Sequence, residues 1–267
     1  MTTLYRCPLC SQPLKLREQG FQCDNNHLFD KAKEGYINLL PVQFKKSKEP
    51  GDNLDMVQAR RAFLASGHYA FLQQSLSKIV SETDHGTVLD MGCGEGFYTQ
   101  SLKFRTNQVY GIDISKAAVR YAAKRYKDCH FAVASCKQSP FEQASFDCII
   151  SVFAPFFGDE VYRLLNDGGT TIIVSPGPEH LIELKQMIYQ DVKKHTLMTC
   201  PLQFKLLKQE VISKKVTLNA AEAKSLVLMT PFAWKFRPEH LAMLDSAATL
   251  PVTLEFALTV LKKPRAA

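Results

Sequence analysis

Nine residues, Val88-Leu89-Asp90-Met91-Gly92-Cys93-Gly94-Glu95-Gly96, constrain this chain more than any others. The apolar run predicts a buried strand, the glycines a tight turn, and the residues from about Phe97 the start of a helix. Glycine at every second position lets a backbone close on a ligand where a Cβ would collide. NAD, FAD and S-adenosylmethionine (SAM) sites all use such a loop, so alone it points only to a nucleotide-like ligand. Two details narrow the choice. The spacing is G-x-G-x-G rather than G-x-G-x-x-G, with Asp90 ahead of the first glycine. A second acid, Asp113, ends the next apolar run, 21 residues after Gly92. That is the distance for an acid that hydrogen-bonds a ribose hydroxyl.

The whole pattern resembles the SAM site of class I methyltransferases. Strand candidates at 87–91, 108–112, 129–134, 146–152 and 170–175 alternate with helices such as 96–103, 116–126 and 158–165. Such βαβ units predict an α/β fold with a Rossmann-like, doubly wound parallel sheet. Upstream, helical periodicity covers about 52–64 and 70–82, broken at Gly67. Downstream, the pattern predicts a long helix over about 179–194 and a basic, less regular region over 193–215. A strand at 215–219, helices at 220–228 and 238–246, and a last strand at 252–262 complete the reading.

The chain has eight cysteines. Its start lacks the apolar core of a signal peptide, which predicts a cytoplasmic protein and reduced thiols rather than disulfides. Three cysteines cluster early, as Cys7-x2-Cys10-x12-Cys23-x3-His27. Two knuckles of this spacing supply the four soft or borderline ligands that zinc prefers. With all four positions filled by protein, the metal is structural, and its binding supplies folding energy that a segment this small lacks. The domains are read as a zinc ribbon over 1–42, a basic linker and helices over 43–82, and a methyltransferase domain over 83–267.

Lys and Arg number 33 against 26 Asp and Glu, a net charge of +7 that favours a polyanionic partner. Lys45, Lys46 and Lys48 are candidate phosphate contacts or a solvated loop, and six more lysines lie between 193 and 215. The longest apolar stretch, near Cys148 to Gly158, is too short to cross a membrane.

Further segments carry a more specific resemblance. Asp30-x-Ala32-Lys33-Glu34-Gly35-Tyr36-x-Asn38-Leu39-Leu40-Pro41, Gln58-Ala59-Arg60-Arg61-Ala62-Phe63-Leu64, Gly67-His68-Tyr69, Pro176-Gly177-Pro178-x-His180-Leu181 and Met229-Thr230-Pro231-Phe232-Ala233-Trp234 are similar to the bacterial large-subunit (23S) ribosomal RNA guanine-N1-methyltransferases. With the ribbon and the glycine loop in the same order, the similarity spans nearly the whole chain. It implies SAM-dependent methylation of guanine N1 in a hairpin loop of 23S ribosomal RNA by a homodimer. It also implies zinc on Cys7, Cys10, Cys23 and His27, and SAM contacts from Tyr69, Gly94, Glu95 and His180. Gly92, Gly96 and Asp113 join the cofactor site on the loop pattern. Asp90 either faces the ligand's amino group or braces the loop.

Guanine N1 lies on the pairing edge, so the target base must be unpaired or flipped, and stacking on aromatic side chains would hold it. Phe153, Phe156, Phe157, Phe232 and Trp234 are candidates. No catalytic base is identifiable, although Asp159 lies near the right loop. Two other classes remain open: a noncatalytic RNA-binding scaffold, and a methyltransferase for a non-rRNA substrate.

Overall fold

The computed structural model describes residues 2–44, 51, 53–82, 86–104 and 107–265, so Lys45, Lys46 and Lys48 lie outside the described residues. The N-terminal segment forms an antiparallel sheet of β1 (Thr2–Arg6), β2 (Pro13–Arg17), β3 (Gly20–Gln22) and β4 (Leu28–Asp30), paired in chain order. Next come β5 (Ile37–Asn38), α1 (Leu54–Ala65) and α2 (Ala70–Ser81). Strands and helices then alternate: β6 (Thr87–Met91), α3 (Phe97–Ser101), β7 (Gln108–Asp113), α4 (Lys116–Arg125), β8 (His130–Val133), β9 (Phe146–Val152), α5 (Gly158–Leu164) and β10 (Leu165–Pro176). The chain closes with α6 (Ile182–Gln186), β11 (Lys205–Leu218), α7 (Ala220–Leu228), α8 (Pro238–Ser246) and β12 (Leu250–Lys262).

Eight strands make the large sheet in the order β11-β12-β10-β9-β6-β7-β8-β5. All pairings from β10 to β5 are parallel, and β12 runs antiparallel between β10 and β11. From β6 the chain winds outward through β7 and β8, then returns to build the other half from β9 and β10. The order reverses between β6 and β9, and a crevice opens there outside the carboxyl ends of the strands. This is the doubly wound sheet expected from the alternation.

The central strands are buried on both faces, which is why they read as apolar runs rather than as alternation. Val88, Val109, Cys148 and Ile150 pack into a layer with Phe63 of α1, Leu72 of α2, Val119 of α4 and Leu226 of α7. Their neighbours Leu89, Tyr110 and Ile149 pack into a second cluster with Val161 of α5 and with the ribbon residues Tyr5, Leu14 and Cys23. The ribbon is therefore a layer of the same molecule. Tyr5 stacks on Phe141 at 5.1 Å and meets Tyr110 edge-on at 5.8 Å, while the backbone N–H of Arg6 donates to Pro140 O at 2.8 Å. Burying one such aromatic contributes roughly 2 kcal/mol.

Two sequence expectations fail. The helix expected over 179–194 is only α6, and residues 187–204 carry no further helix or strand. The cause is tertiary. Lys194 pairs with Glu179 at 2.7 Å and His195 meets Lys185 at 2.7 Å. In a continuous helix ten residues separate by about 15 Å, so these contacts require the chain to turn back. The region 193–215 is also more regular than expected, because strand β11 begins at Lys205 and pairs with β12 along its length. Edge position hides it: most of its side chains are exposed, so it lacks the clear one-sided alternation of a half-buried strand.

Candidate functional site

The turn after β1 carries Cys7 and Cys10, and the turn after β3 carries Cys23 and His27. All four ligand atoms lie within 4.8 Å of one another. Cys7 Sγ and Cys23 Sγ are each 3.4 Å from His27 Nδ1, and Cys10 Sγ is 3.6 Å from Cys23 Sγ. A tetrahedral zinc with Zn–S and Zn–N bonds of ordinary length sets ligand edges of about 3.5–3.8 Å. The donor set fits the metal and leaves no open coordination position. Metal chemistry here is structural.

The glycine loop lies at the carboxyl end of β6, against the crevice. Gly92 has φ +83°, and a Cβ there would meet Ala154 Cβ at 2.4 Å, so the loop after β9 packs directly on it. Gly94, with φ +53°, has a different reason: a Cβ would meet only Arg60 Nη1, at 3.8 Å, and would project into open cavity. The backbone N–H of Gly94 donates to Asp113 Oδ2 at 2.9 Å, and that of Ser115 donates to Asp113 Oδ1 at 2.7 Å. Asp113 thus fixes the loop to the end of β7 while facing the cavity.

The cavity measures about 940 Å³. Its lining brings Tyr69, Gly92, Gly94, Glu95 and Asp113 together with Phe153, Phe156, Phe157, His180 and Phe232. Glu95 is buried, and its Oε2 has no hydrogen-bond partner among the described residues, with Arg61 Nε at 4.0 Å. Burial raises its carboxyl to about 7 against the opposing pull of Arg61 and Arg60. A buried polar atom of this kind, a glycine cradle that a Cβ would fill, and a volume suited to a nucleoside plus an acceptor base together fit SAM.

Six of the eight expected cofactor residues therefore converge on one cavity. Asp90 and Gly96 do not line it. Gly96 stands behind the loop, against Ala122 and Tyr126. Asp90 is fully buried and accepts from Thr99 Oγ1 at 2.6 Å, the bracing arrangement of its two expected alternatives. Burial raises its carboxyl to about 7, opposed by the Thr99 bond.

His180 is held by the N–H of Glu255, which donates to its Nδ1 at 3.2 Å, so the neutral ring carries its proton on Nε2. Burial, reinforced by Lys185 and His195, lowers it to about 3, and it stays neutral near physiological pH. Phe153 lies 5.6 Å from the His180 ring, remains 43% exposed, and holds φ +54°. An exposed aromatic kept in the left-handed region at the edge of a cleft is a strained position of the kind found at ligand sites. Among the other aromatic candidates, Trp234 is exposed and outside the lining, and Asp159 also lies outside it, accepting from Gln203 Nε2 at 3.1 Å.

Four basic lining residues had no role assigned from the sequence: Arg60, Lys137, Lys185 and His195. Nothing in their local pattern separates them from the chain's other basic residues. Only the fold selects them: the turn of 194–195 back onto α6 brings in Lys185 and His195, while α1 supplies Arg60 and the loop after β8 supplies Lys137.

A class I SAM-dependent methyltransferase with a docked zinc ribbon is the class this fold and site define. The family model "RlmA, N-terminal" matches residues 5–48, and "Methyltransferase domain" matches 88–169. The 23S rRNA (guanine(748)-N(1))-methyltransferase of Streptomyces fradiae is 33% identical over 96% of this chain and 94% of its own length. A Bacillus subtilis protein, YxjB, named provisionally as a 23S rRNA (guanine-N(1)-)-methyltransferase, is 28% identical over 97% of this chain and 96% of its own. The chain belongs to the 23S rRNA (guanine-N1)-methyltransferase family. By contrast, the malonyl-[acyl-carrier protein] O-methyltransferase of Serratia marcescens is 25% identical over 52% of this chain and 60% of its own, so that similarity is partial.

Proposed function

We propose that the cavity transfers a methyl group from SAM to N1 of a guanine in 23S ribosomal RNA. The observation that carries this reading is one cavity whose lining joins the glycine loop and Asp113 to Phe153 and Phe232. SAM supplies a methyl already activated on a sulfonium, so the protein's task is positioning and exclusion of water. Asp113, at the end of β7 and on the cavity lining, is a carboxylate placed to accept from ribose hydroxyls. Gly94 leaves room for the donor's backbone-like chain, and the Nε2–H of His180 points a neutral donor into the site. Phe153 offers a face for a purine, whose stacking is worth about 1–3 kcal/mol.

A flipped guanine requires a partner gripped from outside. A groove of about 560 Å³ runs between the end of the ribbon and α4, lined by Lys33, Arg61, Arg120, Lys124 and Lys127. Lys33, Lys124 and Lys127 are exposed on its rim. We place RNA phosphates along it, with the hairpin loop delivering its base to the cavity. A homodimer in the cytoplasm is the assembly and place we infer from the family; among the described residues no helix is long and apolar enough to cross a membrane.

The test is chemical. RNA incubated with the protein and isotopically labelled SAM, digested to nucleosides, should carry the label in 1-methylguanosine. Label in another nucleoside, or in none with SAM demonstrably bound, overturns the assignment.

A further inference from the structure

We propose that Lys185, oriented by His195, accepts the proton that leaves guanine N1 during methyl transfer; this rests on the function proposed above. Guanine N1 carries a proton at neutral pH, so its lone pair is free for the new bond only if that proton has somewhere to go. The cavity offers few takers. Among the described lining residues the carboxylates are Glu95, on the glycine loop, and Asp113, at the end of β7, and the other amine, Lys137, is exposed. His180 has its Nδ1 occupied by the Glu255 N–H, and the thiols of buried Cys93 and half-buried Cys136 are both pushed up by desolvation. Lys185 follows β10, on the half of the sheet opposite to the glycine loop, and it is 8% exposed.

Lysine is seldom buried without a counter-charge. Among the described residues Lys185 has no carboxylate partner, and the one hydrogen bond of its side chain is to His195 Nε2, at 2.7 Å. The charged and titratable groups around it are His180, on the preceding turn, and His195; the neighbouring Glu179–Lys194 pair is satisfied within itself at the surface. Burial lowers the Lys185 ammonium from its ordinary range, as it does in lysines that act as bases. His195 stands exposed at the cavity rim, with Met198 beside it in the lining. The pair therefore spans from the interior to solvent.

The step balances as follows. The neutral Lys185 amine donates one N–H to His195 Nε2, which leaves its lone pair facing the cavity. As the N1 lone pair forms the bond to the methyl carbon, the C–S bond breaks and its electrons remain on sulfur, converting the sulfonium to a thioether. The N1 proton moves to Lys185 Nζ. The resulting ammonium keeps its bond to His195, through which the proton returns to solvent. Lys185 is the acceptor, and His195 is a positioning residue.

Single-turnover methyl transfer to 23S rRNA would be followed against pH for wild type, Lys185→Gln, Lys185→Arg and His195→Gln, with SAM affinity measured by calorimetry in each. Lys185→Gln should retain SAM binding and slow transfer by about 10²–10⁴-fold near neutrality. The deficit should shrink as pH approaches the ionisation of guanine N1 itself. Lys185→Arg should be as slow, because arginine keeps the charge but does not give up its proton. His195→Gln should be slowed less and should shift the pH profile. Wild-type rates in Lys185→Gln, or a fast Lys185→Arg, overturn the proposal. Should Lys185→Gln lose SAM binding through misfolding, the His195→Gln profile decides, and an unshifted one counts against the pair. Absence of guanine methylation by the wild type would instead defeat the underlying function.

Discussion

Thr99 Oγ1 donates a 2.6 Å hydrogen bond to Asp90, whose other oxygen is buried with no partner among the described residues. This couples the end of β6 to the first turn of α3 beneath the glycine loop. The folded protein holds the Asp90 carboxyl at about 7 against an ordinary value of 3.8. A raised carboxyl binds its proton more tightly in the folded state. Its contribution to stability is therefore fully present below about pH 4 and is lost as pH rises through 7. Asp90→Asn removes that dependence. Urea unfolding of both proteins at pH 5 and pH 8 should show the variant gaining roughly 2–3 kcal/mol relative to wild type between the two. An equal change with pH in both proteins would mean that Asp90 is ionised throughout.

The zinc site and its docking should separate experimentally. Cys7→Ser and Cys23→Ser should each release the metal, read as zinc per chain, because a four-ligand structural site tolerates no missing ligand. Tyr5→Ala should keep the zinc but lose the stacking on Phe141 and Tyr110, at a cost of about 3–5 kcal/mol. Limited proteolysis should then cut the ribbon away faster, with the metal still bound. Unchanged zinc content in both cysteine variants would remove them from the site.

In the cavity, Asp113→Ala should weaken SAM binding by about 1–3 kcal/mol in calorimetry. The loss has two sources, a ribose partner and the anchor of the Gly94 N–H. Gly94→Ala, whose Cβ would enter the cavity, should cost affinity well beyond its effect on folding. Wild-type affinity in Asp113→Ala would place the ribose elsewhere.

That Gly92, Gly94 and Asp113 share one cavity lining, and that Cys7, Cys10, Cys23 and His27 cluster, was legible in the chain because each depends on spacing within a few residues, or on one strand length. The doubly wound sheet was legible from its alternation. What was hidden depends on contacts distant in sequence. The helix expected past Gln186 is overridden by Lys194–Glu179 and Lys185–His195, and β11 shows its identity only through pairing with β12, some 40 residues on. The ribbon's place on the sheet rests on Tyr5 meeting Phe141, a pairing no local pattern contains. The bond that ties Asp90 to Thr99, and the depth at which it is buried, exist only in the fold, so spacing alone does not choose between facing the ligand and bracing the loop.

The basic groove gives an electrostatic test. Lys33→Gln and Lys124→Gln together should reduce the slope of log affinity against log salt for 23S rRNA by roughly 1–2, with SAM affinity unchanged. An unaltered slope would move the phosphate contacts off this groove and toward the lysines between 193 and 215.

The most direct test of the whole account is reverse transcription across 23S rRNA treated with the protein, with and without SAM. A methyl on N1 blocks the pairing edge and halts copying one nucleotide early. Methylation at N1 requires a new, SAM-dependent stop beside a guanine in a hairpin loop. Uninterrupted copying of both naked RNA and ribosomal particles, by protein shown to bind SAM, would contradict it.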